Sequence, residues 1–399
     1  MIAAWVAAGL SVVGLIQALA GAMLVGRFVR RRGLSEALAL SGVTVLKPLH
    51  GDEPLLEEAL ATACQQDYPV YQIVFGVQDA ADEALPVVRR LQARFPACDI
   101  AVVVDPTGHG PNRKVGNLIN MLPAAKHDIL VISDSDVHTT PDWLRQLVAA
   151  LEVPEVGLVT TIYTGLPVGG PSRKGRGSSS SHGQSSTPPP LAGGGKGAVS
   201  ALGAAQINHY FLPGALLARA MGRQDCLGAT MMLRRQTLDR IGGFAALVNH
   251  LADDNVLGRL VQRLGLRVCL ADTVPATTVG EATLRALWRH ELRWARTIRA
   301  LVPTQFAASA LQYPLAWALL AVLLTGFAPW SLAWFAAAWA ARAATVRATD
   351  RALELANRAP LWLLPLRELM SVAVMIASYA GRRVDWRGHE LEAEGFNPR

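Results

Sequence analysis

Two aspartates, Asp134 and Asp136, stand i, i+2 apart directly after the apolar run Ile129–Ile132 in "DILVISDSDV". Neighbouring carboxylates repel one another unless a cation shares their charge. A hard divalent ion takes oxygen ligands, and magnesium typically combines one or two carboxylates with phosphate oxygens of a substrate. The pair is therefore a candidate seat for a metal–diphosphate complex. The competing reading is an Asp/Ser turn capping a helix that starts near Pro141.

Other groups along the chain have types that suit the same chemistry. Asp79 in "VQDAAD" follows an apolar run and stands where a nucleotide base could be held, or else it caps a helix. Asn112, Arg113 and Lys114 open a helix in "HGPNRKVGNLIN", and a helix N-terminus with basic residues suits a phosphate; the alternative is a solvated loop. Asp253 and Asp254 open another helix in "LADDNVLGRLVQRLG". One of them is a candidate general base toward a hydroxyl, against the alternative that both merely stabilise the helix dipole. In "RHELRWARTIRA", Arg289, Arg293, Arg296 and, less closely, Arg299 follow helical spacing, with Trp294 beside Arg293. Guanidinium groups bind phosphate bidentately and a Trp can wall a pocket, whereas the bland reading is a basic amphipathic helix lying on anionic lipid.

These residues need elements to position them. Strand patterns occur at 43–49, 71–77, 100–105, 128–134 and 157–163, with helical stretches near 53–63, 83–95, 114–125 and 141–151. Such alternation predicts an α/β domain over 40–304 with a mostly parallel sheet covered by helices. Ligands of such sheets bind beyond the carboxyl ends of strands, which places Asp79, Asp134 and Asp136 on one edge. The stretch 167–197 is Gly/Ser/Pro-rich and cannot bury enough apolar surface to offset its ordering entropy, so it reads as a disordered insertion.

The ends of the chain are apolar. Residues 2–26 carry no charge, which suits a spanning helix and defines an N-terminal anchor over 1–30. The run is too long and its start too poor in basic residues for a signal peptide. Arg27, Arg30, Arg31 and Arg32 follow it, so the positive-inside bias puts the N-terminus outside and the next domain in the cytoplasm. Within 305–399, the run 312–346 is broken by "GFAP" and predicts two short helices in a hairpin. A further stretch, 360–381, contains Pro365, Arg367 and Glu368, and ionisable residues at depth tend to be paired or functional; it suits an interfacial or re-entrant segment as well as a crossing.

The 399 residues are 51% hydrophobic, with a mean hydropathy of +0.26 and a net charge of +7. The basic excess fits a membrane protein, and the absence of aromatic–basic interleaving argues against nucleic acid. Four scattered cysteines with no C-x-x-C argue against a zinc site or disulfide framework and suit a reducing compartment.

In combination, "VTVLKPLHGDEP", "CQQDYPVYQIVFGVQD", "NRKVGNLINMLPAAKHDILVISDSDV", "GAT…RR…GGF", "LADD" and "HELRWARTIR" resemble the ceramide glucosyltransferase family of membrane glycosyltransferases. They are most similar to its bacterial branch associated with hopanoid biosynthesis. The resemblance covers about 40–305 and, more loosely, "LRELMSVAV…DWRGHELEAEG". It implies a GT-A fold, Rossmann-like, in a multi-pass protein of the bacterial inner membrane. It also implies inverting transfer from a UDP-sugar with Mg2+ or Mn2+ as the divalent cation. Asp79 matches the nucleotide-contacting Asp, Asp134 and Asp136 the metal–diphosphate motif, and Asp254 the catalytic base. Arg293 and Trp294 match the end of the (Q/R)xxRW motif, with Asn112, Lys114, Arg289 and His290 expected on the donor side. His290 departs from that motif, which has Gln or Arg there, and the insertion at 167–197 is longer than the pattern. The hopanoid branch implies UDP-N-acetylglucosamine and a bacteriohopanetetrol-type acceptor, against UDP-glucose and a ceramide-like lipid. A processive polysaccharide synthase would need more membrane helices. A haloacid-dehalogenase-type phosphatase would want Thr or Val where His138 stands.

Overall fold

The computed structural model describes residues 1–31, 40–169, 196–356, 358–381, 383–386 and 389–392. The bulk of the predicted insertion, residues 170–195, lies outside the described residues, as does the end of the tail. The chain divides into two units. Met1–Arg30, Ala205–Arg223 and Leu284–Arg399 form one; Arg31–Ala204 and Gln224–Thr283 form the other. The helix carrying "HELRW", Leu284–Leu301, groups with the helical unit.

In chain order the elements begin with α1 (Ile2–Arg30), β1 (Val43–Pro48), α2 (Leu56–Ala63), β2 (Tyr71–Val77), α3 (Ala84–Arg94), β3 (Asp99–Val104) and α4 (Arg113–Met121). They continue with β4 (Ile129–Ser133), β5 (Val137–His138), α5 (Trp143–Leu151), β6 (Val156–Thr160), β7 (Thr164–Pro167), α6 (Lys196–Gln206) and α7 (Leu212–Ala220). After these come β8 (Thr230–Arg234), α8 (Arg235–Arg240), α9 (Asp253–Arg263), β9 (Arg267–Leu270), β10 (Ala276–Val279) and α10 (Leu284–Leu301). The last helices are α11 (Pro303–Ala308), α12 (Pro314–Leu324), α13 (Pro329–Ala352) and α14 (Leu364–Ser378).

The α/β unit is built on a seven-stranded sheet in the order β3-β2-β1-β4-β8-β6-β9. It is mostly parallel, as expected, with β8 antiparallel to both of its neighbours. β1 and β4 run side by side, and the chain steps outward from β1 to β2 and β3 before returning to β4. That is a topological switch point, where the carboxyl ends of the strands leave a crevice. β4 is buried at every position because helices cover both faces, and each of its aliphatic side chains contributes on the order of 2 kcal/mol. The core packs α2, α3 and α5 on the sheet around Phe75 and the fully buried Trp143. A second, three-stranded sheet, β5-β10-β7, continues from the tip of β4.

In the helical unit, α1 and the 361–378 segment ending in α14 are long and apolar enough to cross a membrane. A third candidate is the pair Pro303–Gln312 and Pro314–Leu324, bent by 69°. The predicted break at "GFAP" is present: Gly326 and Phe327 have φ of 61° and 64°, and α12 and α13 pack on each other across it. Small residues let α1 approach its neighbours, since a Cβ on Gly21 would lie 2.8 Å from Pro213. The ionisable residues of 360–381 are paired, as depth demands. Arg367 makes a bidentate pair with Glu291 at 2.6 and 2.8 Å. Glu368 accepts from the Leu315 and Ala316 amides and from Arg342 Nε.

Candidate active site at the strand tips

The site begins where β1 and β4 end. Lys47, the penultimate residue of β1, has no solvent exposure. Its ammonium donates to Ser133 Oγ at 3.1 Å and to the Asp134 carbonyl at 2.7 Å. Burial pulls its pKa down to about 8, against the pull of Asp136 and Asp134. The turn carrying the two aspartates is held from other sides too. Asp134 N donates to Ala229 O at 3.2 Å. The Ser135 hydroxyl donates to Glu53, and Thr277 Oγ1 on β10 donates to Asp136 Oδ2 at 2.5 Å. Neither aspartate caps α5; its N-cap is Asp142, with no side-chain cap bond. Burial, then the charges of Asp134 and Glu53, push the Asp136 carboxyl up to about 7.

α4 brings Lys114 to this turn. Asn112 caps the helix, its Oδ1 accepting from Val115 N at 3.1 Å. The same side chain donates to His250 O at 2.8 Å, tying the cap to the loop that leads into α9. Asn112 is thus buried with its side chain engaged on both sides. Lower down, Asn117 Nδ2 donates to Gly76 O at 2.7 Å, and a Cβ at Gly76 would collide with Met121, so glycine is what lets α4 sit on β2. The Lys114 ammonium then lies 2.5 Å from Asp134 Oδ1 and 3.9 Å from Asp253 Oδ2. Burial opposes its charge, yet Asp134 and Asp253 outweigh burial and hold the pKa well above its ordinary value.

Asp253 and Asp254 occupy the first turn of α9, so the dipole reading and a functional one coexist. Asp254 Oδ1 accepts from Asn255 N at 2.7 Å. Its carboxyl is pushed up to about 7, first by burial and next by Asp253. Burial likewise raises Asp253, with Lys114 pulling the other way. Asp254 abuts the loop before β8: a Cβ on Gly228 would lie 3.0 Å from Asp254 Oδ2.

Asp79 is exposed just beyond β2, with Oδ1 accepting from Ala81 N at 2.9 Å. Arg289, His290, Arg293 and Trp294 lie on α10 in the helical unit. There the His290 ring meets Trp294 edge-on at 4.6 Å, and Trp294 packs toward Phe211. The structure therefore brings Asp134, Asp136, Lys114, Asp253 and Asp254 together within one unit, with Asp79 on the same strand edge.

A sequence profile of glycosyl transferase family 21 matches residues 6–172 and 180–395. The chain belongs to glycosyl transferase family 21. Among relatives of this family 21 chain, a ceramide glucosyltransferase of Komagataella phaffii is 34% identical over 129 residues, covering 31% of the chain and 25% of that protein. Ceramide glucosyltransferase 1 of Caenorhabditis elegans is 22% identical over 279 residues, 68% of the chain and 53% of the relative. A solved mannosyltransferase from Pyrobaculum calidifontis, in complex with GDP-Man and Mn2+, superposes with a TM-score of 0.49 at 20% identity over 94% of this chain and 99% of that one. The chain spans between about a quarter and a half of the length of these curated relatives.

Sequence reading of this family 21 member missed Lys47, Glu53 and Thr277. Lys47 left a signal, a lysine inside a mostly apolar strand, where unpaired charge is rarely buried. Glu53 sits in the loop after β1, just before Leu55, whose φ of 60° is left-handed and strained for a leucine. Thr277 left none, because β10 is too short to show a pattern. Among the described residues no group of three or more His, Cys, Asp or Glu side chains is placed to enclose a metal. The two turn carboxylates and the raised Asp136 pKa suit a cation whose remaining ligands are diphosphate oxygens and water.

Proposed function

We propose that the protein transfers a sugar from a UDP-sugar to a hydroxyl of a membrane lipid, with inversion at the anomeric carbon. The observation that carries this reading is the Lys114 ammonium, 2.5 Å from the strand-tip Asp134 and 3.9 Å from Asp253, beside Asp254. Diphosphate-binding charge and a candidate base thereby share one crevice at the switch point.

In this reading Asp79 contacts the nucleotide, and Lys114 faces the diphosphate from the first turn of α4, where Asn112 fixes the helix start. Asp134 and Asp136 would hold Mg2+ or Mn2+, which offsets the charge of the leaving diphosphate. Asp254 takes the proton from the acceptor hydroxyl, which attacks C1 from the face opposite the leaving group. By their match to the family's (Q/R)xxRW motif, Arg293 and Trp294 would be catalytic, the guanidinium supplying positive charge for the leaving diphosphate, with Arg289 and His290 as donor-binding residues. The transition state has oxocarbenium character.

The membrane-length helices and the ceramide glucosyltransferases among the relatives support a lipid acceptor, whose polar head would present the hydroxyl to Asp254. In this reading the α/β unit is cytoplasmic, at a bacterial inner membrane; Arg27 and Arg30 at the end of α1 and Arg31 after it support that side through the positive-inside bias. The acceptor we favour is a bacteriohopanetetrol-type hopanoid with UDP-N-acetylglucosamine as donor. The second reading, ceramide with UDP-glucose, is supported by the ceramide glucosyltransferases among the relatives. Mass spectrometry of lipids after incubation of the detergent-solubilised chain with each UDP-sugar, crossed with each lipid, tests both. One added N-acetylhexosamine on the hopanoid supports the first reading, and one hexose on ceramide the second. No glycosylated lipid in any combination overturns the activity itself.

A further inference from the structure

Lys114 already places a cation on the carboxylate that a divalent ion would need. Its side chain is 16% exposed and that of Asp134 36%, so the pair is shielded but open on one side. α4 cannot easily withdraw it, since the Asn112 cap and the Asn117–Gly76 bond anchor the helix. An ammonium at hydrogen-bond distance and a divalent ion on the same carboxylate repel strongly in a partly buried site. A nucleoside diphosphate changes the balance by offering the ammonium new anionic oxygens and the metal its missing ligands.

We propose that Lys114 makes divalent-cation binding at Asp134 and Asp136 conditional on the nucleotide diphosphate, so that metal and donor enter as one unit. This rests on the UDP-sugar reading above. The ammonium competes with the metal for Asp134 until the diphosphate takes it over. Linkage requires the reciprocal effect, with metal strengthening diphosphate binding by the same factor.

The test is Mn2+ binding to the full chain in detergent, read from the electron paramagnetic resonance of free Mn2+ with and without UDP. Wild type should bind Mn2+ weakly alone and more tightly with UDP. Lys114→Met should raise the affinity for Mn2+ alone by on the order of tenfold and shrink the UDP enhancement. Lys114→Gln provides a second neutral variant, and Lys114→Arg, which keeps the charge, should stay as weak as wild type. Equal or weaker Mn2+ binding alone in both neutral variants overturns the coupling, while the donor reading stands if wild type still binds Mn2+ with UDP. Failure of wild type to bind Mn2+ even with UDP overturns the donor reading and this inference with it.

Discussion

Lys47 Nζ donates to the main-chain carbonyl of Asp134 at 2.7 Å, linking the ends of two neighbouring parallel strands through a side chain with no solvent exposure. The bond fixes the backbone of the turn and leaves the Asp134 carboxylate outward. A buried ammonium is costly unless hydrogen-bonded and balanced, and here Ser133, Asp134 and Asp136 supply both. Lys47→Met should therefore weaken Mn2+-dependent UDP binding by on the order of tenfold, the worth of one charged hydrogen bond, with little change in far-ultraviolet circular dichroism. Calorimetric titration reads it; wild-type affinity in the variant would show that the turn holds itself.

Asp254→Asn should keep the UDP-sugar affinity and lower transfer by about 10²- to 10⁴-fold, the range for loss of a general base. The comparison is donor titration against lipid turnover in one preparation. Near-normal turnover would remove Asp254 from the base role.

The raised Asp254 carboxyl sets a pH dependence in two senses. A base must be ionised, so kcat/KM for acceptor should climb with pH and level off above about 7. Stability runs the other way. The folded value of about 7 exceeds the ordinary 3.8, so stability from this position is full below 3.8 and is lost as pH rises through 7. The apparent Tm of Asp254→Asn relative to wild type should therefore increase between about pH 4 and pH 7. A difference independent of pH would contradict the burial of this carboxyl.

The Arg367–Glu291 pair, 1% and 10% exposed, predicts an asymmetry. Glu291→Gln strands a buried guanidinium and should cost about 3–5 kcal/mol, while Glu291→Leu combined with Arg367→Met should restore most of the loss. Apparent Tm in detergent distinguishes them. A double variant no better than the single one would show that the pair is needed for more than charge balance.

Deletion of 170–195 should leave lipid transfer within about twofold, since a change in the length of a connecting segment costs little beyond loop closure. The flanks support this: Val168 N donates to Ser200 Oγ at 2.8 Å, and Ser200 Oγ to Val279 O at 2.7 Å, so the chain leaves and re-enters at adjacent points. A dead deletion variant, still folded by circular dichroism, would give the segment a role in the reaction.

Strands buried on both faces were the most legible elements. "YQIVFGV" and "ILVIS" are predominantly apolar runs, and the strands observed lie within two residues of the bounds expected for them. β8, "TMMLR", escaped notice because it is short and methionine-rich, and because its place between β4 and β6 depends on contacts far along the chain. The same limit applies to the site. The aspartates at the tip of β4 and the start of α9 announce themselves through local pattern, while Glu53 and Thr277 meet the turn only once distant segments pack. Asn112 shows the reverse: its position at a helix start was legible, but its bond to His250 O was not.

The reversed central strand also has a consequence for synthesis. When β4 leaves the ribosome it can pair with β1 on one side, but the partner for its other edge emerges only with β8, about a hundred residues later, or roughly 5–20 s at ordinary translation rates. Throughout that interval the nascent chain presents an unpaired aliphatic edge, the kind that recruits stray strands. Production of this protein should thus be sensitive to elongation speed and to chaperones that shield the half-made sheet.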